Sequence, residues 1–215
     1  MDKNMNAASI KMLERTKNAL EKNNMNAYIA LTKEEAVKIA ESLITEGATV
    51  SCGGSMTLAE CGMTAVLNSG KYNFLDREKA PDKLTFYRES YGADYYMCSS
   101  NAVTENGELY NVDGNGNRVS CICYGPSKVI MIVGRNKIVH SLDEAIMRVK
   151  RYAAPANCQR LSCKTFCSET GICKGAEMTQ GCGGEDRICS TYVVCGHQRK
   201  KGRISVILVN EELGY

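Results

Sequence analysis

Residues 129–133 read Val-Ile-Met-Ile-Val, a run of five side chains without a polar group. A strand with one face in water alternates apolar and polar residues, so an unbroken run is expected for a parallel strand covered on both faces. Ahead of this run, helical patterns at 7–23, 32–46 and 56–67 alternate with strand patterns at 26–31 and 48–52. The sequence therefore predicts an α/β fold in which helices flank a parallel sheet with antiparallel additions.

Capping and turn signals predict the remaining elements. Thr32 and Ser141 each stand three residues before a glutamate, a capping-box pattern that marks the start of a helix. The helix that begins after Ser141 is expected to end before Pro155. Further strands are predicted at 95–98, 108–112, 118–124, 191–195 and 203–210. Residues 113–117 contain an Asp-Gly and an Asn-Gly pair, which predict a hairpin between the strands at 108–112 and 118–124.

Length and composition limit the class of protein. The 215 residues are expected to form a single domain, residues 1–215, that carries a cysteine-rich loop at 158–195. A net charge of +3 with dispersed basic side chains argues against nucleic acid as a partner. No window approaches the roughly 18 apolar residues of a membrane span, and the polar N-terminal residues lack the apolar core of a signal peptide. We expect a soluble, cytoplasmic protein without a membrane partner.

Cysteines are concentrated near the C-terminus. Seven of the twelve lie from Cys158 to Cys195, and glycines between them let the loop bend back on itself. Thiolates select zinc or an iron–sulfur cluster over magnesium or calcium, so we interpret the segment as a metal-binding loop. A disulfide framework would need an oxidising compartment, and unconnected thiols are the second alternative. The candidate ligands are Cys163, Cys167, Cys173, Cys182 and Cys189.

The intervals between these cysteines bear on the identity of the metal. From Cys167 to Cys189 the candidate ligands are separated by five, eight and six residues. Structural zinc sites usually include one interval of about two to four residues. The long, glycine-rich intervals favour a [4Fe–4S] cluster, with zinc as the alternative.

A glycine-rich turn follows the predicted strand at 48–52. It contains Gly53, Gly54, Ser55 and Thr57 at the point where the strand gives way to a helix. Backbone N–H groups at such a junction suit an anion, and the two hydroxyls add donors. A Gly-Gly pair at this place also forms simple turns, because glycine and serine favour turns for backbone reasons. The turn is therefore a candidate anion site with a structural alternative.

A second polar run, residues 99–107, follows the predicted strand at 95–98. It contains Asn101, Thr104 and Glu105. Ligands of α/β sheets collect beyond the carboxyl ends of strands, where a desolvated Glu105 would act as a base or a nucleophile. The alternative is a loop with a solvated glutamate. Glu105 is the catalytic candidate, and Asn101 and Thr104 are candidates for substrate binding.

Two further pairs join this set. Asn117 and Arg118 follow the predicted hairpin, where Arg118 would clamp a carboxylate or pair with a surface acid. Asn136 and Lys137 follow the apolar strand at 129–133. Because the turn at 53–57, the run at 99–107 and this last pair all follow strands, we expect them to line one pocket with Glu105 at its mouth.

The order of motifs resembles the lactate-utilisation (LUD, formerly DUF162) domain family, lactate utilisation protein C in particular, over essentially the whole chain. The motifs are Gly-Gly-Ser-Met-Thr (53–57), Ser-Asn-Ala-Val-Thr-Glu-Asn-Gly (100–107), Asp-Gly-Asn-Gly-Asn-Arg-Val (113–119), Gly-Pro-Ser-Lys-Val-Ile (125–130), Val-Gly-Arg-Asn-Lys-Ile-Val (133–139), Ala-Ala-Pro-Ala-Asn (153–157), Arg-Ile-Cys (187–189) and Glu-Leu-Gly-Tyr (212–215). The resemblance implies the three-layered α/β fold of sugar-phosphate isomerases and CoA transferases. It also implies a role beside iron–sulfur subunits in oxidising L-lactate to pyruvate.

The resemblance also implies a ligand set. Some family members carry a C-x5-C-x2-C-x6-C pattern, which maps here to Cys167, Cys173, Cys182 and Cys189. The second interval is eight residues in this chain instead of two, while the outer intervals agree, and Cys163 is an additional candidate.

Three functions follow as expectations. The first is a component of lactate or 2-hydroxy-acid oxidation that takes a small carboxylate and contacts or carries an iron–sulfur cluster, with ferredoxin-like partner subunits. No G-x-G-x-x-G fingerprint supports a flavin or nicotinamide on this chain. The second is acyl-CoA transfer, hydrolysis or isomerisation through Glu105, because residues 104–107 resemble the Ser-Glu-Asn-Gly motif of family I CoA transferases. The third is a non-catalytic subunit of an iron–sulfur oxidase complex. The sequence leaves open whether the isolated chain is an oxidoreductase and whether it forms a homo-oligomer.

Overall fold

The computed structural model describes residues 2–215. Its helices are α1 (Lys3–Lys22), α2 (Lys33–Leu43), α3 (Met56–Glu60), α4 (Met63–Leu67), α5 (Lys83–Tyr91), α6 (Asn117–Cys123), α7 (Leu142–Arg148), α8 (Ala154–Arg160) and α9 (Phe166–Thr170). Its strands are β1 (Asn26–Ala30), β2 (Thr49–Cys52), β3 (Asn73–Leu75), β4 (Tyr95–Cys98), β5 (Ala102–Thr104), β6 (Leu109–Asp113), β7 (Lys128–Gly134), β8 (Ile138–Val139), β9 (Thr191–Cys195) and β10 (Ile204–Val209). A 3-10 turn spans Arg135–Lys137, and a π-helical turn spans Val149–Ala153.

Six parallel strands form the main sheet, in the order β1-β10-β7-β4-β2-β3. The apolar run at 129–133 is β7, near the middle of this sheet. Its odd-numbered residues pack into one apolar cluster, and Ile130 and Ile132 pack into another on the opposite face. The predicted parallel strand covered on both faces is confirmed, since all five side chains are at most 1% exposed.

Helices and a second sheet cover the two faces of the main sheet. On one face, α2, α3 and α4 contribute the apolar side chains that meet Ile130 and Ile132. On the other face lie α1, α6 and a second sheet with the strand order β8-β5-β6-β9. The far side of that second sheet is covered by α7 and α8, through residues such as Ala145 and Ala154 packed on Tyr110. The junction between the two sheets is therefore an interior region.

The predicted strand at 118–124 is wrong, because residues 117–123 form α6. Gly116 adopts a left-handed conformation with φ 76° at the start of this helix. The Asp113 carboxylate accepts hydrogen bonds from the backbone N–H groups of Arg118 and Val119, at 2.8 and 3.2 Å. The Asp-Gly and Asn-Gly pairs thus lead from β6 into a capped helix instead of a hairpin. β6 pairs with β9 in place of the expected partner.

Two predicted helix boundaries also differ. The helix that begins after Ser141 does not end before Pro155, because the π-helical turn connects α7 to α8, which contains this proline. A wider turn accommodates a residue that cannot donate a backbone hydrogen bond. The predicted helix at 56–67 is divided at Gly62, whose φ is 84°.

Among residues 2–215, no helix combines the length and the apolar character needed to cross a membrane.

The turn between β5 and β6 is fixed against α1. Gly107 has φ +80°, and its N–H donates to the Thr104 carbonyl at 2.9 Å. The Asn23 side chain, at the end of α1, donates to the carbonyls of Asn106 and Gly107 at 3.1 and 3.0 Å. A Cβ atom at position 107 would lie 2.6 Å from the carbonyl carbon of Ala19. The second sheet is thereby attached to the first helix.

We predict that Gly107→Ala destabilises the fold by about 2 kcal/mol or more, because it combines a positive φ with a clash against the α1 backbone. The measurement is urea-induced unfolding followed by circular dichroism. Gly196→Ala is the matched control, since its Cβ would meet no atom within 4 Å and its φ is not positive; its effect should stay within about 0.5 kcal/mol. Equal stability of the two variants would show that the turn is not fixed to α1.

Candidate functional site

A cavity of about 370 Å³ opens at the carboxyl ends of β2, β4 and β7. The residues that follow these three strands meet in its wall, as the sequence predicts for neighbouring parallel strands. They are Gly53, Gly54 and Ser55 after β2, Ser99, Ser100 and Asn101 after β4, and Lys137 after β7. The first turn of α6, with Asn117 and Arg118, completes the inner part. The cavity therefore lies at the junction of the two sheets.

Lys137 is a buried amine in this wall. Its side chain is 3% exposed, and Nζ donates to the hydroxyls of Thr57 and Ser99 at 2.8 and 3.2 Å. Thr57 itself lies behind the amine and is 1% exposed. Burial lowers the pKa of Lys137 to about 7, with further lowering from the nearby cations Arg148 and Arg118. Among residues 2–215 no carboxylate forms an ion pair with this amine.

Arg118 carries its charge into the same wall. Nη1 donates to Asn111 Oδ1 at 2.7 Å and Nη2 donates to Asn101 Oδ1 at 2.7 Å. The carbonyls of Ser99 and Val112 accept further hydrogen bonds from the two nitrogens. All four acceptors are neutral, so they orient the guanidinium without cancelling its charge. A surface acid does not pair with it in the described residues.

Gly53 makes room for this arrangement. A Cβ atom at position 53 would lie 2.8 Å from the Tyr96 hydroxyl and 3.3 Å from Arg118 Cδ. The neighbouring Gly54 has open space around its Cα, and Ser55 caps α3 by accepting from the Leu58 N–H at 3.3 Å. The glycine pair is therefore not only a turn, because Gly53 lets the arginine reach the cavity wall.

Arg148 supports the wall from behind, and sequence reasoning missed it. Nε donates to the Asn136 carbonyl at 2.9 Å, and Nη1 donates to the Asn101 carbonyl at 2.7 Å. Burial lowers the pKa of Arg148 to about 10. Its place in the last turn of a capped helix gave no sign that it points inward. The arginine fixes the positions of the two loops that carry Asn101 and Lys137.

The outer part of the cavity adds more cations than acids. Arg77, Lys83 and Arg160 line it, whereas Asp113 is an acidic side chain that caps α6. Tyr215 also lines the cavity, and its buried hydroxyl has no hydrogen-bond partner. A positive wall around a partly enclosed space favours a small anion.

Asn136 and Thr104 lie outside this cavity. The Asn136 side chain joins the 3-10 turn to the C-terminal residues, donating to the Gly214 carbonyl and accepting from the Leu213 N–H. It lines a second cavity of about 510 Å³, which Arg148 and Tyr215 also border. Thr104 is fully buried and donates to the Glu108 carboxylate at 2.7 Å. Both residues have structural contacts that account for their polarity.

The predicted position of Glu105 is wrong. Its carboxylate does not line the cavity and instead accepts hydrogen bonds from Arg15 on α1, at 3.0 Å from Nε and 2.8 Å from Nη2. The reason lies in β5, which carries the chain away from Asn101 before Glu105 is reached. Together with the contacts of Gly107, this ion pair gives the Thr-Glu-Asn-Gly segment a structural role against α1.

The cysteine-rich segment begins with a close pair of thiols. Cys158 in α8 and Cys167 in α9 are buried, with their Sγ atoms 3.6 Å apart. Burial raises the pKa of the Cys158 thiol. Cys163 lies between them in the chain, and its N–H donates to the Cys158 carbonyl at 3.0 Å. The pair is thus joined through the loop between the two helices.

The rest of the segment, residues 171–190, contains no helix or strand. Arg187 donates to the carbonyls of Cys182 and Cys189 at 3.1 and 2.8 Å. Lys150 Nζ donates to the Gln180 carbonyl at 2.7 Å and lies 4.0 Å from Cys173 Sγ. Two basic side chains therefore hold the backbone of this segment.

The thiols of Cys167, Cys173, Cys182 and Cys189 are not brought together. Within residues 2–215, no three His, Cys, Asp or Glu side chains are placed to hold a metal ion. The arrangement described therefore holds no preformed metal site at these four thiols. The segment nevertheless borders the cavity, because Ile188, next to Cys189, and Asn157, next to Cys158, line it.

Comparison with known proteins agrees with this architecture. A crystal structure of a DUF162 family protein from Deinococcus radiodurans is similar to the chain, with a TM-score of 0.54 and 15% sequence identity. The match covers 94% of this chain and 98% of that one, and at this identity it shows the fold alone. No curated protein sequence matches the chain significantly. The LUD domain family matches residues 13–209. The chain therefore belongs to the LUD domain family.

Proposed function

We propose that the cavity binds a small carboxylate of the 2-hydroxy-acid or 2-oxo-acid class, and that the chain serves lactate utilisation in this way. The observation that carries the proposal is the unneutralised guanidinium of Arg118, which lies in the cavity wall beside the buried amine of Lys137. Neutral oxygens hold the Arg118 guanidinium in place, so a bound carboxylate would be its first counter-ion. Membership of the LUD domain family supports lactate as the substrate class.

The size and shape of the cavity support a small ligand. Its volume of about 370 Å³ lies near the lower end of ligand pockets. The inner wall carries the Ser55 hydroxyl and the Asn101 amide beside the Arg118 guanidinium. Such groups suit the hydroxyl or carbonyl oxygen next to a carboxylate, since both accept hydrogen bonds. The conversion of lactate to pyruvate releases two electrons, so an acceptor is needed, and we propose an iron–sulfur partner subunit for that role.

We predict that pyruvate or lactate binds the wild-type protein and that Arg118→Gln weakens binding by at least about tenfold, equal to about 1.4 kcal/mol. The loss is expected because glutamine removes the fixed charge. Isothermal titration calorimetry measures it. Lactamide, the uncharged analogue, should not bind.

Arg203→Gln is the matched control for this experiment. Like Arg118, Arg203 donates hydrogen bonds to neutral oxygens only, the backbone carbonyls of Cys121, Ile122 and Pro126. Arg203 does not line the cavity. The control should lose stability without losing affinity for the acid. Binding of lactamide as tight as that of lactate, or equal affinity losses in the two variants, would contradict the carboxylate assignment. Binding of inorganic phosphate in preference to the acids would assign the cavity to another class of anion.

We also propose that the cysteine-rich segment binds a [4Fe–4S] cluster after rearrangement, with Cys167, Cys173, Cys182 and Cys189 as ligands. Its position beside the cavity favours this second function, through Ile188 and Asn157. Residues 171–190 are free of helix and strand, so a rearrangement would break the hydrogen bonds of Arg187 and Lys150 rather than a regular element. Zinc is the alternative occupant.

Anaerobically purified protein should therefore be brown and contain iron and sulfide, and it should bleach in air. Cys189→Ser should lower the iron content, because it removes one proposed ligand. Cys123→Ser is the control, since that exposed thiol belongs to α6. Colourless protein with one zinc per chain would show that the segment binds zinc and not a cluster. Metal-free protein under the same conditions would show that the segment binds neither the cluster nor zinc.

A further inference from the structure

Lys137 has the geometry of an amine nucleophile. The Thr57 hydroxyl donates to the Leu213 carbonyl at 3.2 Å, and the Ser99 hydroxyl donates to the Ser100 carbonyl at 3.4 Å. Both hydroxyl protons are thus committed, so both oxygens accept from Lys137 Nζ. A neutral amine satisfies these two acceptors with its two N–H bonds. Its lone pair then remains for an electrophile in the cavity.

The surroundings keep this amine without a counter-ion. The charged or titratable groups that act on it are Arg118 on α6, Arg148 on α7, Glu60 on α3 and Cys98 on β4. The Glu60 carboxylate accepts from the Gly214 N–H at 2.7 Å, so it is oriented towards the backbone. Burial lowers the pKa of Lys137, and two cations that outweigh one engaged acid lower it further, which favours the neutral form of the amine.

We propose that Lys137 forms an imine with the carbonyl carbon of a 2-oxo acid bound in the cavity. This inference rests on the proposed carboxylate site: Arg118 supplies the charge that attracts the carboxylate, and the amine faces the adjacent carbonyl. It assigns to the chain a covalent step with the oxidised form of the acid. A 2-hydroxy acid has no carbonyl carbon and would bind without this step.

The step balances in atoms and protons. The Nζ lone pair forms a C–N bond, the carbonyl π electrons move to oxygen, and a proton passes from nitrogen to that oxygen to give a carbinolamine. A second proton, taken up from solvent, lets the oxygen leave as water while the C=N bond forms. The product is a protonated imine.

The test is reductive trapping. The full-length protein is incubated with pyruvate and cyanoborohydride, and the modified peptide is identified by mass spectrometry. We expect one adduct, on Lys137, formed with pyruvate and absent with acetone, which lacks the carboxylate. Because the pKa of Lys137 is about 7, its trapping should rise with pH up to about that value and then level off, whereas an exposed lysine continues to gain reactivity towards its pKa near 10.4.

Variants separate this step from binding and from folding. Lys137→Met should abolish the adduct, and Lys150→Met is the control, because Lys150 is also a buried lysine but does not line the cavity. Thermal unfolding of each variant checks that it is folded, and peptide mapping of the wild type locates the adduct without any substitution. An adduct spread over surface lysines would overturn the inference.

Calorimetry with pyruvate distinguishes the two proposals. Binding without an adduct on Lys137 would overturn the imine and leave the carboxylate site in place. Absence of both binding and adduct would overturn the two together. Binding with a single adduct on Lys137 would support both.

Discussion

Two guanidinium groups, that of the buried Arg148 and that of the partly buried Arg118, hold the junction on which the site depends. Arg118 joins α6 to the loop after β4 and to β6, through oxygens of Ser99, Asn101, Asn111 and Val112. Arg148 joins α7 to the loops that follow β4 and β7. Each charge is solvated by neutral protein oxygens in place of water, which avoids the cost of an unpaired buried donor. The main sheet and the second sheet are thereby fixed relative to each other.

This way of holding the junction has a chemical consequence. Carboxylates placed beside the arginines would have neutralised them and left a neutral pocket. Amide and carbonyl oxygens leave the charges in place, so Lys137 is buried among cations and its neutral form is favoured. The same interactions that stabilise the fold therefore make the cavity attractive to an anion and lower the pKa of one amine. The hydrogen bonds that hold Arg118 and Arg148 therefore support the fold and also determine the chemistry of the cavity.

Much of this arrangement could be predicted from the sequence, because strand periodicity and strand ends are local signals. The apolar β7 and the polar residues after β2, β4 and β7 follow from them. The parts that could not be predicted depend on distant contacts. The conformation of residues 113–123 is decided when Asp113 caps α6, although the same dipeptides suit a hairpin. Arg148 points inward because α7 packs against β5. The residue pattern of a single helix does not show which strand that helix packs on.

Glu105 shows why a motif has to be judged in its structural setting. The segment Thr-Glu-Asn-Gly resembles a catalytic motif, yet its last three residues each make a structural contact with α1 or with the residue that follows it. Glu105 pairs with Arg15, and the Asn106 carbonyl accepts a hydrogen bond from Asn23. Gly107 passes close to Ala19. A fold can keep such a turn for its shape while the chemistry lies elsewhere. In this chain the turn secures the second sheet to α1, and Lys137, the candidate nucleophile, directly precedes the opposite end of β8. One short strand thus separates the structural glutamate from the candidate nucleophile.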